Sequence, residues 1–192
     1  VFNRTQAKAD EWVKTFSGNS VSCPEELGRS CEEIFICIGN DNDVRDVIAG
    51  DEGILNTMRP GGIIVDHTTT SSILSIELSN QCLKKDINYI DAPVSGGQAG
   101  AENGALTIMA GGDKISFEKV AATMECYSKF MKLMGPSGSG QLTKMVNQIC
   151  IAGLVQGLAE GINFSEKSGL DTKDVIEVIS KGAAQSWQME NR

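Results

Sequence analysis

The run Asp91-Ala92-Pro93-Val94-Ser95-Gly96-Gly97 sets a hydroxyl and two side-chain-free amides directly after Ile87–Ile90, an apolar stretch that reads as a β-strand. Without a Cβ, the N–H groups of Gly96 and Gly97 can be approached closely and the chain can take φ > 0. Residues 98–103 read as a short helix whose free N–H groups would point toward the same place. The chemistry this implies is capture of a carboxylate or phosphate; a tight connection with no ligand uses the same residues. Further along, Lys144 is followed at i+3 and i+4 by Asn147 and Gln148, and Ile151 and Val155 continue that helical face, so three polar groups converge beside apolar ones. A lysine near a helix N-terminus and partly buried is pushed below its usual value of about 10.4, which suits it to acid/base work at neutral pH. A surface lysine beside two solvated amides is the other reading of this pattern.

Two motifs come close to familiar ones and fail on context. Gly138-Ser139-Gly140-Gln141-Leu142-Thr143 follows a strand and opens a helix, as a dinucleotide fingerprint does. A fingerprint must continue into a second parallel strand, whereas here helix follows helix. Pro93-Val94-Ser95-Gly96-Gly97 approaches a hydrolase elbow, but the first glycine is missing and the single histidine, His67, precedes Ser95 in the chain. His67 reads instead as a strand-end residue with its hydrogen bond satisfied. Asn3-Arg4-Thr5 follows the strand-like Val1-Phe2 and contains no acid. At the end of a second Rossmann strand an arginine accommodates a 2′-phosphate where an acid would select the free hydroxyl. An N-cap by Thr5 is the alternative use of that segment.

These groups need a scaffold, and the hydrophobic pattern supplies one. Strand-like runs at Val1-Phe2, 34–38, 63–65, 87–90, 106–110 and 130–134 alternate with helix-like segments at 6–16, 43–49, 71–84 and 116–126. Pro24 opens a shorter helix, and a weaker strand is expected near 19–22. That alternation predicts an α/β, Rossmann-like doubly wound sheet. After Met134 the glycine-rich run 135–140 is followed only by helical periodicity, at 141–168 and 172–180. The first of these helices would be roughly 40 Å long, which suits a link between domains. The expected division is therefore a sheet domain over 1–136 and a helical domain over 137–192. The chain starts without methionine, on what looks like the end of a strand, and stops after an uncapped helical stretch; both domains are expected to be incomplete.

With 192 residues, 41% hydrophobic, and a net charge of −8, the chain can build a sizeable core and has no basic face for nucleic acid or anionic membranes. Its six cysteines include no C-x-x-C pair, so neither a disulfide framework nor a zinc site is expected, and one histidine excludes a histidine-rich metal centre. No signal peptide or spanning segment is evident, the longest apolar stretch being near 149–155, and a cytoplasmic protein is expected.

Taken together, the segments resemble the β-hydroxyacid dehydrogenase family, which includes 3-hydroxyisobutyrate dehydrogenases and tartronate semialdehyde reductases and is related to phosphogluconate dehydrogenase. Val1 to Thr5 resembles the family's second strand and cofactor-selecting turn. Asp91 to Gly97, continued by Gly100, Ala101, Gly104 and Leu106, resembles its substrate signature. Residues 135–148 resemble its catalytic block, and Asp66-His67-Thr68-Thr69 its Asp-x-Ser-Thr segment on the nicotinamide side. The resemblance implies an NAD(P)-dependent oxidoreductase, NADP preferred, that interconverts a small 3-hydroxy acid and its semialdehyde. It implies Lys144 as acid/base, Ser95, Gly96 and Gly97 as carboxylate clamp, and Asn147 and Gln148 as substrate-orienting amides. Asn3, Arg4, Thr5, Ile38, Gly39 and Thr69 would line the cofactor, no metal is involved, and a homo-oligomer is expected. The family's first strand, its glycine-rich loop and a C-terminal lysine have no counterpart in the chain, so these residues alone should bind dinucleotide poorly. Gln148, where 3-hydroxyisobutyrate dehydrogenases commonly carry Asn, leans toward tartronate semialdehyde reductases. A non-catalytic relative that uses the fold for binding or assembly is the competing reading, and serine hydrolysis the third.

Sequencing of the coding region upstream should reveal a G-x-G-x-x-G motif about 25 residues before Asn3; its absence would undo the cofactor expectation.

Overall fold

Short β-branched runs and well-capped helices set the element order in the computed structural model, which describes residues 1–191. The strands are β1 (Glu33–Ile36), β2 (Ile63–Asp66), β3 (Asn88–Asp91), β4 (Val94–Ser95), β5 (Leu106–Gly111) and β6 (Ser128–Gly135). The helices are α1 (Gln6–Phe16), α2 (Pro24–Ser30), α3 (Asp41–Ala49), α4 (Ser72–Leu83), α5 (Gly97–Glu102), α6 (Lys114–Glu125), α7 (Ser139–Lys167), α8 (Thr172–Ile179) and α9 (Trp187–Asn191). Side-chain oxygens of Asn40, Ser71, Asp113 and Asp171 accept from backbone N–H groups in the first turns of α3, α4, α6 and α8, satisfying donors that have no partner within the helix. Pro24 occupies the first position of α2, where a missing N–H costs nothing.

β1, β2 and β3 are parallel, in register Ile34↔Ile64↔Tyr89. Alternate residues feed two cores. Ile34, Ile64 and Tyr89 pack with Val44, Ile48, Leu74 and Leu78 on one side, and Ile63, Val65 and Ile90 with Val120 and Met124 on the other. Every residue of β2 is buried, as a central strand covered on both faces must be. The fold is thus the α/β, Rossmann-like sheet expected from the alternation, with a difference at its far side. β5 runs antiparallel to β3 and β4, through Asp91↔Gly111 and Val94↔Ile108, and β6 is parallel to β5. The reversal follows from Ala92-Pro93: proline has no N–H for a ladder and locks φ, so the chain breaks out of β3, re-forms as β4, and returns through α5 beside itself.

Several local expectations are corrected. Val1-Phe2 and residues 19–22 form no ladder; they meet through the Val1 amine on the Asn19 carbonyl at 2.5 Å and the Val21 N–H on the Val1 carbonyl at 3.0 Å. Two such bonds bind two extended segments without making a sheet. Thr5 makes no side-chain cap of α1; Asn3 Oδ1 accepts from the Thr5 N–H at 2.9 Å instead, the Asx geometry that short amide side chains favour. β4 and a single 3-10 turn over Ile54–Asn56 carry too few residues to give a periodic signal.

By internal contacts the chain separates into Val1–Lys144 and a helical unit from Met145 onward. By this measure the break falls inside α7, because the first residues of that helix are bonded to the sheet through Gly138, Gln141 and Lys144. Within the helical unit, α7, α8 and α9 border an open apolar pocket of about 330 Å³ lined by Leu158, Ile162, Val175, Ile176, Ile179 and Met189. By length and composition alone, α7 is long and apolar enough to cross a membrane, contrary to the expectation that no such segment exists; its most apolar stretch, near 149–155, is far shorter than a span. Its first turns are held by buried polar groups of the sheet unit.

One contact makes this docking intolerant of bulk. A Cβ on Gly140 would press on the Met109 carbonyl and stand 2.5 Å from the Asp91 carbonyl oxygen, both rigid backbone. Gly140→Ala should therefore destabilise the sheet unit by about 2–3 kcal/mol, the cost of overpacking. A urea midpoint unchanged from wild type would contradict this close approach.

Candidate active site

The position of Lys144 depends first on how α7 begins. The Asp91 carboxylate, fully buried at the end of β3, accepts from the Gly138 N–H at 2.7 Å and the Gln141 N–H at 2.9 Å, with the Ser137 hydroxyl at 3.5 Å. An acidic group at a helix start meets both unpaired N–H groups and the positive end of the helix dipole. Gln141, also fully buried, bridges to the segment after β2: its Oε1 accepts from Thr70 N–H at 3.0 Å and its Nε2 donates to the Thr68 carbonyl at 2.7 Å. The helix is thereby tied to two neighbouring strands by side chains that leave little rotational or sliding freedom.

One turn beyond Gln141, Lys144 donates from Nζ to the Val94 carbonyl at 2.7 Å and is only 8% exposed. Burial lowers its pKa, as expected from the sequence. No salt-bridge partner to this ammonium occurs among the described residues. The lysine thus sits beside the residue that precedes Ser95, and the two halves of the predicted site meet.

Ser95 is half-buried in β4, while Gly96 and Gly97 are exposed. Gly96 takes φ +140° and Gly97 φ +62°, conformations that favour glycine. A Cβ on Gly97 would meet nothing within 4 Å, so its amide borders open space where a ligand can approach. α5 has only six residues; the polar groups at hand here are those of the turn itself.

At the carboxyl ends of β1 and β2, the Ile38 N–H donates to Thr68 Oγ1 at 3.0 Å, joining the two strand exits. Ile38, Gly39 and Thr69 are exposed there, where ligands bind in open α/β sheets. A Cβ on Gly39 would displace the Asp43 carboxylate. Arg4, 87% exposed, reaches Asp43 Oδ1 at 3.4 Å, which brings the Asn3-Arg4-Thr5 segment to the same loop. Asn147 and Gln148 belong to the helical unit, one turn along α7, where Asn147 Nδ2 donates to Gln148 Oε1 at 3.1 Å.

His67 places both ring nitrogens in hydrogen bonds, Nδ1 to the Ala92 carbonyl at 2.7 Å and Nε2 to the Tyr127 hydroxyl at 2.8 Å. It is the satisfied strand-end residue read from the sequence, and it offers no free nitrogen as base for Ser95. Sequence reasoning assigned no role to Asp91 or Gln141. The only signal was that polar residues stand where strand β3 and the helix would otherwise be apolar.

A doubly wound sheet with open strand exits, joined to a helix that presents a buried lysine beside a glycine turn, defines the dinucleotide-dependent dehydrogenase class of architecture. Residues 1–135 match the profile of the NAD binding domain of 6-phosphogluconate dehydrogenase, and residues 138–192 that of the NAD-binding domain of NADP-dependent 3-hydroxyisobutyrate dehydrogenase. An uncharacterized oxidoreductase of Shewanella frigidimarina is 55% identical over the whole chain, which covers 66% of that protein. A probable 3-hydroxyisobutyrate dehydrogenase-like mitochondrial protein of Arabidopsis thaliana is 43% identical over 92% of the chain and 59% of its own length. Among solved structures, a Mycobacterium tuberculosis 3-hydroxyisobutyrate dehydrogenase with L-serine superposes with a TM-score of 0.89 at 23% identity, covering 99% of this chain and 64% of the other. The chain belongs to the β-hydroxyacid dehydrogenase family, and it spans about two thirds or less of the length of these relatives.

Burial raises the Asp91 carboxyl to about 6 from 3.8, with the Gly138 and Gln141 amides opposing the shift. A proton bound more tightly in the folded state stabilises it at low pH, and that stabilisation disappears as pH rises through the folded value. Measured against Asp91→Asn, which does not titrate, wild-type stability should fall by about 2 kcal/mol between pH 4 and pH 6.5 and then level off. A pH-independent difference in urea unfolding would refute the shift.

Proposed function

We propose that the protein is an NADP-preferring dehydrogenase that interconverts a small 3-hydroxy acid and its semialdehyde, of the 3-hydroxyisobutyrate/methylmalonate semialdehyde or glycerate/tartronate semialdehyde type. The observation that carries this reading is the Lys144 Nζ held 2.7 Å from the Val94 carbonyl, immediately before the Ser95-Gly96-Gly97 turn. An ammonium has three N–H donors. One is directed to Val94, which orients the group and leaves two for a substrate oxygen.

The Ser95 hydroxyl and the N–H groups of Gly96 and Gly97 would receive the substrate carboxylate, and the exposed Gly97 with its unobstructed surroundings suits that approach. Lys144 then gives a proton to the aldehyde oxygen in the reducing direction, or takes it from the hydroxyl in the oxidising one. Its lowered pKa eases both transfers. Asn147 and Gln148 would orient the substrate by amide hydrogen bonds.

The residues at the strand exits fit a dinucleotide, because the Ile38–Gly39 backbone is open to solvent at the carboxyl ends of parallel strands. Asn3, Arg4, Thr5, Ile38, Gly39 and Thr69 would hold it, and when bound it supplies or accepts the hydride. Preference for NADP is supported by Arg4, whose exposed guanidinium can turn to a 2′-phosphate, and by the lack of an acid at residues 3–5. A small-molecule partner accords with the net charge of −8, and exposed Val146, Ile149 and Val155 on α7 support a homo-oligomer.

In the full-length protein, Lys144→Ala should lower kcat with NADPH and a semialdehyde by about 10²- to 10⁴-fold and leave cofactor affinity within about twofold. Turnover close to wild type in that variant would overturn the assignment.

A further inference from the structure

His67 and Tyr127 are polar, half-buried, and unused by the chemistry above. We propose that they form a positioning pair: Tyr127 holds His67 as the neutral tautomer protonated on Nδ1, and that N–H fixes the Ala92 carbonyl so that the Val94 carbonyl can orient Lys144. The inference rests on the reading of Lys144 as proton donor.

The ring lies between two aromatics. Phe35 stacks on it with centroids 6.1 Å apart and planes at 24°, and Tyr127 meets it edge-on at 5.5 Å and 86°. The Ala92 carbonyl at 2.7 Å from Nδ1 can only accept, so Nδ1 carries the hydrogen. In a neutral imidazole Nε2 then only accepts, which makes the Tyr127 hydroxyl, 2.8 Å away, the donor. Burial lowers the histidine below its ordinary 6.5, with the Ala92 carbonyl opposing, and burial also raises the tyrosine. The groups bonded to or stacked on the ring are uncharged. The neighbouring Asp66 carboxylate is taken up by the Thr68 N–H and the Tyr89 hydroxyl, each at 2.8 Å.

From the imidazole to the lysine there are few free torsions. Ala92 is pinned at its amide as well, by the Asp66 carbonyl at 2.7 Å. Pro93 has a fixed φ, and its carbonyl accepts from the Met109 N–H at 3.1 Å. The next carbonyl, Val94, is the one that receives Lys144. With Ala92 held on both sides, the direction of the Val94 carbonyl is set within a narrow range.

His67 is the single histidine of this chain, and in ¹⁵N-labelled full-length protein its imidazole signals are those that vanish in His67→Gln. Wild type should show Nδ1 protonated, Nε2 unprotonated, and a titration displaced below the ordinary 6.5 of an imidazole. Tyr127→Phe keeps the ring and removes the donor; it should move the titration upward, lower kcat about fivefold, shift the kcat pH profile, and leave cofactor affinity unchanged. His67→Gln, which retains an N–H donor, should recover most of the kcat lost in His67→Ala. Protonation on Nε2 in wild type, titration near the ordinary value, or unchanged kcat in Tyr127→Phe would overturn the proposal. Full turnover in Lys144→Ala would instead overturn the functional reading, and the imidazole spectrum does not depend on that result.

Discussion

The buried carboxylate of Asp91 is the constraint on which the site depends. Removing a carboxylate from water costs several kcal/mol unless donors replace the solvent. Here the replacement donors are the backbone N–H groups of Gly138 and Gln141 at the start of α7, so the helix and the strand satisfy each other. Neither could be moved alone: withdrawing α7 would leave a charge without partners, and withdrawing Asp91 would leave the helix N-terminus without its acceptor. Raising the carboxyl to about 6 is the residual cost of that burial.

From this anchor the geometry propagates along two backbones. Along α7, Gln141 adds a second tie to the segment after β2, and Lys144 follows one turn later. Along the other chain, Ala92-Pro93 carries the backbone out of β3 and into β4, bringing the Val94 carbonyl under the lysine. Glycine at 140 allows the helix to rest on the Met109 and Asp91 carbonyls. The Lys144 amine is therefore placed by backbone contacts and buried polar groups, which are stiff, rather than by its own flexible stem.

Much of this was legible from the sequence, and the parts that were not share a cause. α1 and α2 follow from apolar spacing, a Pro at the first turn and the polar residues that flank them, and α3, α4, α6 and α8 differ from expectation only at their ends. The turn at 91–97 and Lys144 announced themselves by residue type. The strand expected at Val1-Phe2 does not form, because extended backbone becomes a sheet only where a neighbouring ladder accepts it. The antiparallel return of β5 was equally hidden, since a strand's hydrophobic pattern is the same in either direction. Asp91 and Gln141 passed without a role because an acid after an apolar strand and an amide on a helix are ordinary locally.

By itself the sequence determined the inventory: which segments are helical or extended, where the glycines free the backbone, and which amine and hydroxyl are available for chemistry. Those properties are set by residues within a turn or two of one another. The tertiary structure decided which of these groups meet. Asp91 finds the N–H of Gly138 across 47 residues, Val94 finds Lys144 across 50, and His67 finds Tyr127 across 60. No local pattern encodes such pairs; they exist because the sheet brings strand exits together and buried polar groups must find partners when water is gone.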